Sequence, residues 1–91
     1  MTGPPELSVC GESITRRPDT SPETGIREYG EVLFADPVNN TYPVDTQEHI
    51  EAAWRYIHQE RDQAFYSPQD LACIERRIKE AGAAMGITLH P

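Results

Sequence analysis

The stretch Tyr42-Pro43-Val44-Asp45-Thr46-Gln47-Glu48-His49-Ile50 decides the fold. Thr46 is placed as an N-cap, its hydroxyl accepting from a backbone N–H of the first helical turn. Asp45 is a rival cap with Glu48 at N3, which moves the boundary by one residue and nothing else. Glu48 and Glu51 fall where the helix dipole favours negative charge. Beyond them, Ile50, Ala53, Trp54 and Ile57 recur at i, i+3, i+4 and i+7, one face of a helix. Glu51 and Arg55 form an i, i+4 pair on the outer side. The pattern predicts a helix over about residues 46–59, with Trp54 central in the core.

Downstream, Tyr66-Ser67-Pro68-Gln69-Asp70-Leu71 is a second helix start. Ser67 caps, Pro68 takes N1 where its missing N–H costs nothing, and Asp70 sits at N3. Tyr66 at N′ and Leu71 at N4 have the spacing of a hydrophobic staple. Leu71, Ile74, Ile78, Ala81 and Met85 then recur at steps of 3 or 4. Gly86 is placed as the left-handed C′ residue that ends such a helix. The second helix is therefore predicted over about 68–85. The short link from Glu60 to Phe65 makes the two helices neighbours, and the fold class is mainly α, a two-helix hairpin.

Upstream, residues 26 to 35 read as an extended segment, with Val32, Leu33 and Phe34 β-favouring. Gly30 breaks the alternation, so this segment is expected to pack across the hairpin rather than to form a sheet strand. Asp36-Pro37-Val38-Asn39-Asn40 has turn composition. Residues 1–25 hold Pro4, Pro5, Pro18 and Pro22 among polar residues and read as a disordered tail. The expected organisation is a 1–25 tail and a 26–91 small helical domain.

The 91 residues carry 8 basic and 15 acidic side chains, a net charge of −7. Such a chain repels nucleic-acid phosphates and anionic membranes. No apolar run approaches the ~20 residues of a membrane span, and Met1-Thr2-Gly3-Pro4-Pro5-Glu6 lacks the basic and apolar regions of a signal peptide. Cys10 and Cys73 have no CxxC spacing, and a bridge between them would tie a flexible tail to a helix. They are expected as two free thiols in a cytoplasmic protein.

No catalytic or metal motif is complete, so the chain is expected to be no enzyme and to hold no metal or cofactor. His49 and His58 lie nine positions apart, about 180° around one helix, and cannot share an ion there. Cys73 lies off the apolar stripe with no histidine placed near it, and Ser67 is explained as a cap. Arg76, Arg77 and Lys79 form a basic cluster on the second helix and are the candidate partner-binding surface. Positive charge there also suits the helix dipole and a solvated face. The seven aromatic residues read as the core of a small domain.

Several of these stretches recur in one family. Tyr29-Gly30-Glu31-Val32, Phe34-Ala35-Asp36-Pro37, Tyr42-Pro43-Val44-Asp45-Thr46, His49-Ile50, Tyr66-Ser67-Pro68 and Gly86-Ile87 stand in a fixed order and spacing. Over residues 29–89 the chain resembles an uncharacterised family of small bacterial helical domains, some of whose members occur in phage-like gene sets. The resemblance implies a self-standing, soluble unit in which Asp36-Pro37 and Tyr42-Pro43 frame a loop entering the first helix. It implies no activity. Relatives tend to be basic in the second helix, from which this acidic chain departs. The function expected is a small accessory or protein-interaction module. The alternative is a nucleic-acid-associated module using Arg76, Arg77 and Lys79.

Overall fold

Both caps stand where the sequence places them. In the computed structural model, which describes residues 5–89, the Thr46 hydroxyl accepts from the His49 N–H at 3.1 Å and the Ser67 hydroxyl from the Asp70 N–H at 3.1 Å. The helices they open span Gln47–Ile57 and Pro68–Ala84. The second ends at Gly86, whose φ of 71° lets the Gly86 N–H reach Ala83 O and the Ile87 N–H reach Gly82 O. Those two bonds satisfy the last carbonyls as a Schellman motif does. Ser67→Ala is expected to lower stability by about 1 kcal/mol, a fall of roughly 4–8 °C in thermal midpoint for a domain of this size. A midpoint that stays put would remove Ser67 from the cap.

The architecture around these helices is larger than a two-helix hairpin. Among the described residues, four α-helices and one short 3-10 turn accompany a two-stranded antiparallel sheet. A 3-10 turn covers Val9–Ser13, then α1 runs Pro22–Tyr29, β1 Phe34–Asp36, β2 Thr41–Pro43, α2 Gln47–Ile57, α3 Glu60–Gln63 and α4 Pro68–Ala84. Phe34 pairs with Pro43 and Asp36 with Thr41. The extended segment therefore includes a true strand, contrary to the reading of residues 26 to 35, and its first part, Ile26 to Tyr29, closes a helix instead. The link Glu60 to Phe65 holds the short α3.

The turn between the strands is set by Asp36, whose carboxylate accepts from the N–H groups of Val38 and Asn39 at 3.1 and 3.0 Å. Asn40 takes the left-handed conformation that asparagine tolerates, φ 55°. The core lies between α2, α4 and the hairpin. Ile50, Ile57, Ile74 and Ile78 are fully buried there, with Ala35 from β1 and Val44 just after β2. Trp54 is buried at the edge of this core, with the His58 ring 4.4 Å away and the Lys79 ammonium 5.5 Å from its centre.

The largest correction concerns the expected tail. Residues 1–4 of it lie outside the described residues, but residues 5–25 are folded onto the domain. Ile14 is 4 % exposed. The Asn39 side chain accepts from the Arg17 N–H at 2.6 Å and donates to Thr15 O at 3.1 Å, and Asp70 accepts from the Thr15 N–H at 3.1 Å. Ser8 donates to the Glu80 carboxylate from both its N–H and its hydroxyl. Pro22, read as a breaker, stands at the first helical position where proline starts a helix. Gly25 is required by close approach, since a Cβ there would meet Asn40 O at 2.1 Å. The two cysteines are not free thiols either: Cys10 and Cys73 form a disulfide across 63 residues of sequence. With the segment folded, the bridge joins two ordered elements, and the objection to it disappears.

Candidate functional site

The basic cluster does not form one surface. Arg76 and Lys79 are exposed, but Arg77 is turned inward and 6 % exposed. Its guanidinium donates from Nε to Ala35 O at 2.8 Å, from Nη2 to Phe34 O at 2.9 Å and from Nη1 to Ser8 O at 2.5 Å. Burial pushes its pKa below the ordinary arginine value, partly countered by Glu80 and Asp36. Arg77 thus joins α4 to β1 and to the segment before the 3-10 turn. The partner-binding surface expected at Arg76, Arg77 and Lys79 loses its central member. The placement has a signal in the sequence, since Cys73, Arg77 and Ala81 form an i, i+4 row beside Ile74 and Ile78. A charged residue in such a row reads first as solvated.

A cleft of about 300 Å³ lies elsewhere, between α1, β2 and α2, with α3 and the segment around Arg17 at its rim. A buried polar network adjoins it through Thr41. Asp36 is fully buried and accepts, besides its two turn bonds, from Asn39 Nδ2 at 2.9 Å, Thr41 Oγ1 at 3.1 Å and Tyr66 Oη at 2.6 Å. Burial, then the bond to Asp36, push the Tyr66 hydroxyl well above the usual tyrosine range. Fully satisfied networks of this kind hold one geometry. Thr41, at the end of this network, lines the cleft.

Tyr42 enters the cleft from β2 with its backbone at φ 60°. A non-glycine residue so held costs about 1–3 kcal/mol and persists where the surroundings determine it. The Tyr42 hydroxyl donates to Asp62 Oδ1 at 2.7 Å and its ring packs against Tyr66. Burial and that bond raise the Tyr42 pKa far above the usual value. Arg17 lies at the rim, forked onto Asp19 at 2.5 and 2.8 Å, bonded to Tyr66 Oη at 3.1 Å and seated 4.0 Å over the Phe65 ring. Burial disfavours its charge, but the bonds to Asp19 and Tyr66 outweigh that and hold its pKa above the ordinary value.

On the opposite wall, His49 Nδ1 is 2.6 Å from Asp45 Oδ1, with the Tyr29 ring edge-on at 5.3 Å. The carboxylate can only accept, so Nδ1 donates and Nε2 is the nitrogen left open. Chemically this is an imidazole held in one orientation. No serine hydroxyl contacts it among the described residues, and both cysteines are committed to the bridge. His58 stands apart, with Nδ1 donating to Trp54 O at 2.6 Å and Nε2 3.2 Å from Glu75. Tyr29 and Tyr56 stand at the mouth of the cleft, each 41 % exposed. The cleft was not legible beforehand, because its lining comes from five separate segments.

Among the described residues no helix is long and apolar enough to cross a membrane. No curated protein and no solved structure matches the chain. A family model does match, over residues 10–91, and it includes most of the segment before α1 that sequence composition set aside. The chain belongs to DUF6582, a family of unknown function.

Proposed function

We propose that this domain is a non-enzymatic protein-interaction module, and that part of a partner protein seats in the cleft between α1, β2 and α2. The observation that carries the reading is the pair of half-exposed tyrosines, Tyr29 and Tyr56, at the mouth of a concave, otherwise ordered site. Tyrosine presents a large apolar ring and a polar tip at low entropic cost, and it anchors many interfaces. The strained Tyr42 in the same wall supports it, because such backbone conformations cluster at functional sites. No cofactor is needed for this role. The nucleic-acid alternative is weaker: with Arg77 buried, Arg76 and Lys79 are left beside Glu75 and Glu80 on a chain of net charge −7. A cytoplasmic setting is not part of the reading, since its premise was two free thiols and the cysteines are bridged.

The test is partner capture by paired variants. Tyr29→Ala with Tyr56→Ala should weaken capture of whichever protein the wild type retains by about 30-fold, the effect of a hot spot worth about 2 kcal/mol. Arg76→Ala with Lys79→Ala should leave it unchanged. The reverse pattern, loss with the basic pair and retention with the tyrosine pair, would place the interface on α4.

A further inference from the structure

We infer that the cleft takes a basic side chain, lysine or arginine, from an extended segment of the partner protein. This deepens the proposed interaction role and rests on it. Two carboxylates face the cleft from different elements, Glu28 on α1 and Asp62 on α3. Glu28 has no hydrogen-bond or ion-pair partner among the described residues. Asp62 accepts from Tyr42 on one oxygen, while its other oxygen meets only Arg61, 3.8 Å away and 79 % exposed. A surface pair of that kind is worth little and yields readily to a better-placed cation.

The cation already at the rim does not fill this role. Arg17 is the one lysine or arginine lining the cleft, and its guanidinium is forked onto Asp19. Its charge is therefore spent within its own turn, and the two carboxylates stay unbalanced. His49 is paired at Nδ1 with Asp45, a residue outside the cleft lining. The remaining walls include the rings of Tyr29, Tyr42 and Tyr56 beside small and uncharged polar residues such as Thr24, Asn40 and Ala52. Aromatic faces attract ammonium and guanidinium groups and pack against their aliphatic stems. An anionic ligand would be repelled by Glu28 and Asp62, and a purely apolar one would desolvate the Glu28 carboxylate and the second Asp62 oxygen without a matching cation. A volume of about 300 Å³ is at the lower end of small-ligand sites, a fit for one long side chain with its flanking backbone.

The full chain is titrated with four capped pentapeptides, Ala-Ala-X-Ala-Ala with X as lysine, arginine, norleucine or glutamate, followed by amide NMR shifts. The lysine or arginine peptide should give saturable shifts at Glu28, Tyr29, Tyr56 and Asp62 that weaken with added salt. The norleucine and glutamate peptides should give none there. Glu28→Gln should reduce affinity for the basic peptide at least fivefold with an unchanged thermal midpoint, and Glu31→Gln, an exposed carboxylate outside the cleft, should not. Equal shifts with norleucine, larger shifts with glutamate, or no cleft shifts with any peptide would overturn the inference. The tyrosine-pair capture experiment is independent of these peptides, so failure here and failure of the interaction role are told apart.

Discussion

Replacing Cys10 and Cys73 together with serine is expected to cost about 4 kcal/mol of stability, the chain-entropy value for a closed loop of this length. The bridge spans 63 residues of sequence, so it removes much of the freedom of the unfolded chain. The whole domain has roughly 5–15 kcal/mol to lose, and small domains sit at the low end because they bury little surface. Urea unfolding of the oxidised protein, the thiol-reduced protein and the double serine variant checks it. The last two should coincide, well below the first. Coincidence of all three would mean that the native protein carries no bridge. Because bridges persist in oxidising surroundings, this result also bears on where the protein works.

The second large effect is expected at Arg77. Arg77→Ala removes the guanidinium donor from the Ala35 and Phe34 carbonyls of β1, and from Ser8 O, which keeps the Gly11 N–H, and leaves a void at a buried position of α4. Buried acceptors left unpaired cost about 1–3 kcal/mol each, and roughly 3–5 kcal/mol is expected in total after partial relaxation. Arg77→Lys should recover little, since an ammonium cannot reproduce a fork that reaches three carbonyls. Thermal unfolding of both variants beside Arg76→Ala tests this. Arg76→Ala should lie within experimental error of the wild type. An Arg77→Ala midpoint equally unchanged would return that side chain to the surface.

Cys10, Cys73 and Arg77 mark the boundary of what was legible in the sequence. α2 and α4 were readable, caps and all, because a cap, a first-turn acid and an i, i+4 stripe are local signals. The Schellman end at Gly86 was readable for the same reason. The segment before α1 was not. Its order rests on Asn39, Asp70 and Glu80, side chains 22 to 72 positions away, and on a buried apolar side chain, Ile14. Composition cannot register such partners, so a polar, proline-bearing stretch read as unable to repay its ordering entropy. The strand was missed because three residues are too few for an alternation to show, and its pairing is set by the Asp36 turn rather than by propensity. Arg77 sat in the buried row of its helix, yet its charge masked it. The cleft follows from the folding of residues 5–25 and of the hairpin, and neither could be read ahead of it.

The claim on which the rest depends is that residues 5–25 are a wall of this domain. They supply Arg17 and Thr20 to the cleft, Ser8 to Arg77 and Cys10 to the bridge. Native-state amide hydrogen exchange at Thr15 and Arg17 tests it most directly. Their N–H groups donate to Asp70 and Asn39, so they should exchange only through openings approaching global unfolding, at free energies close to those of the α2 and α4 core amides. Exchange of both at the unprotected rate of a free chain, with α2 and α4 still protected, would contradict the account.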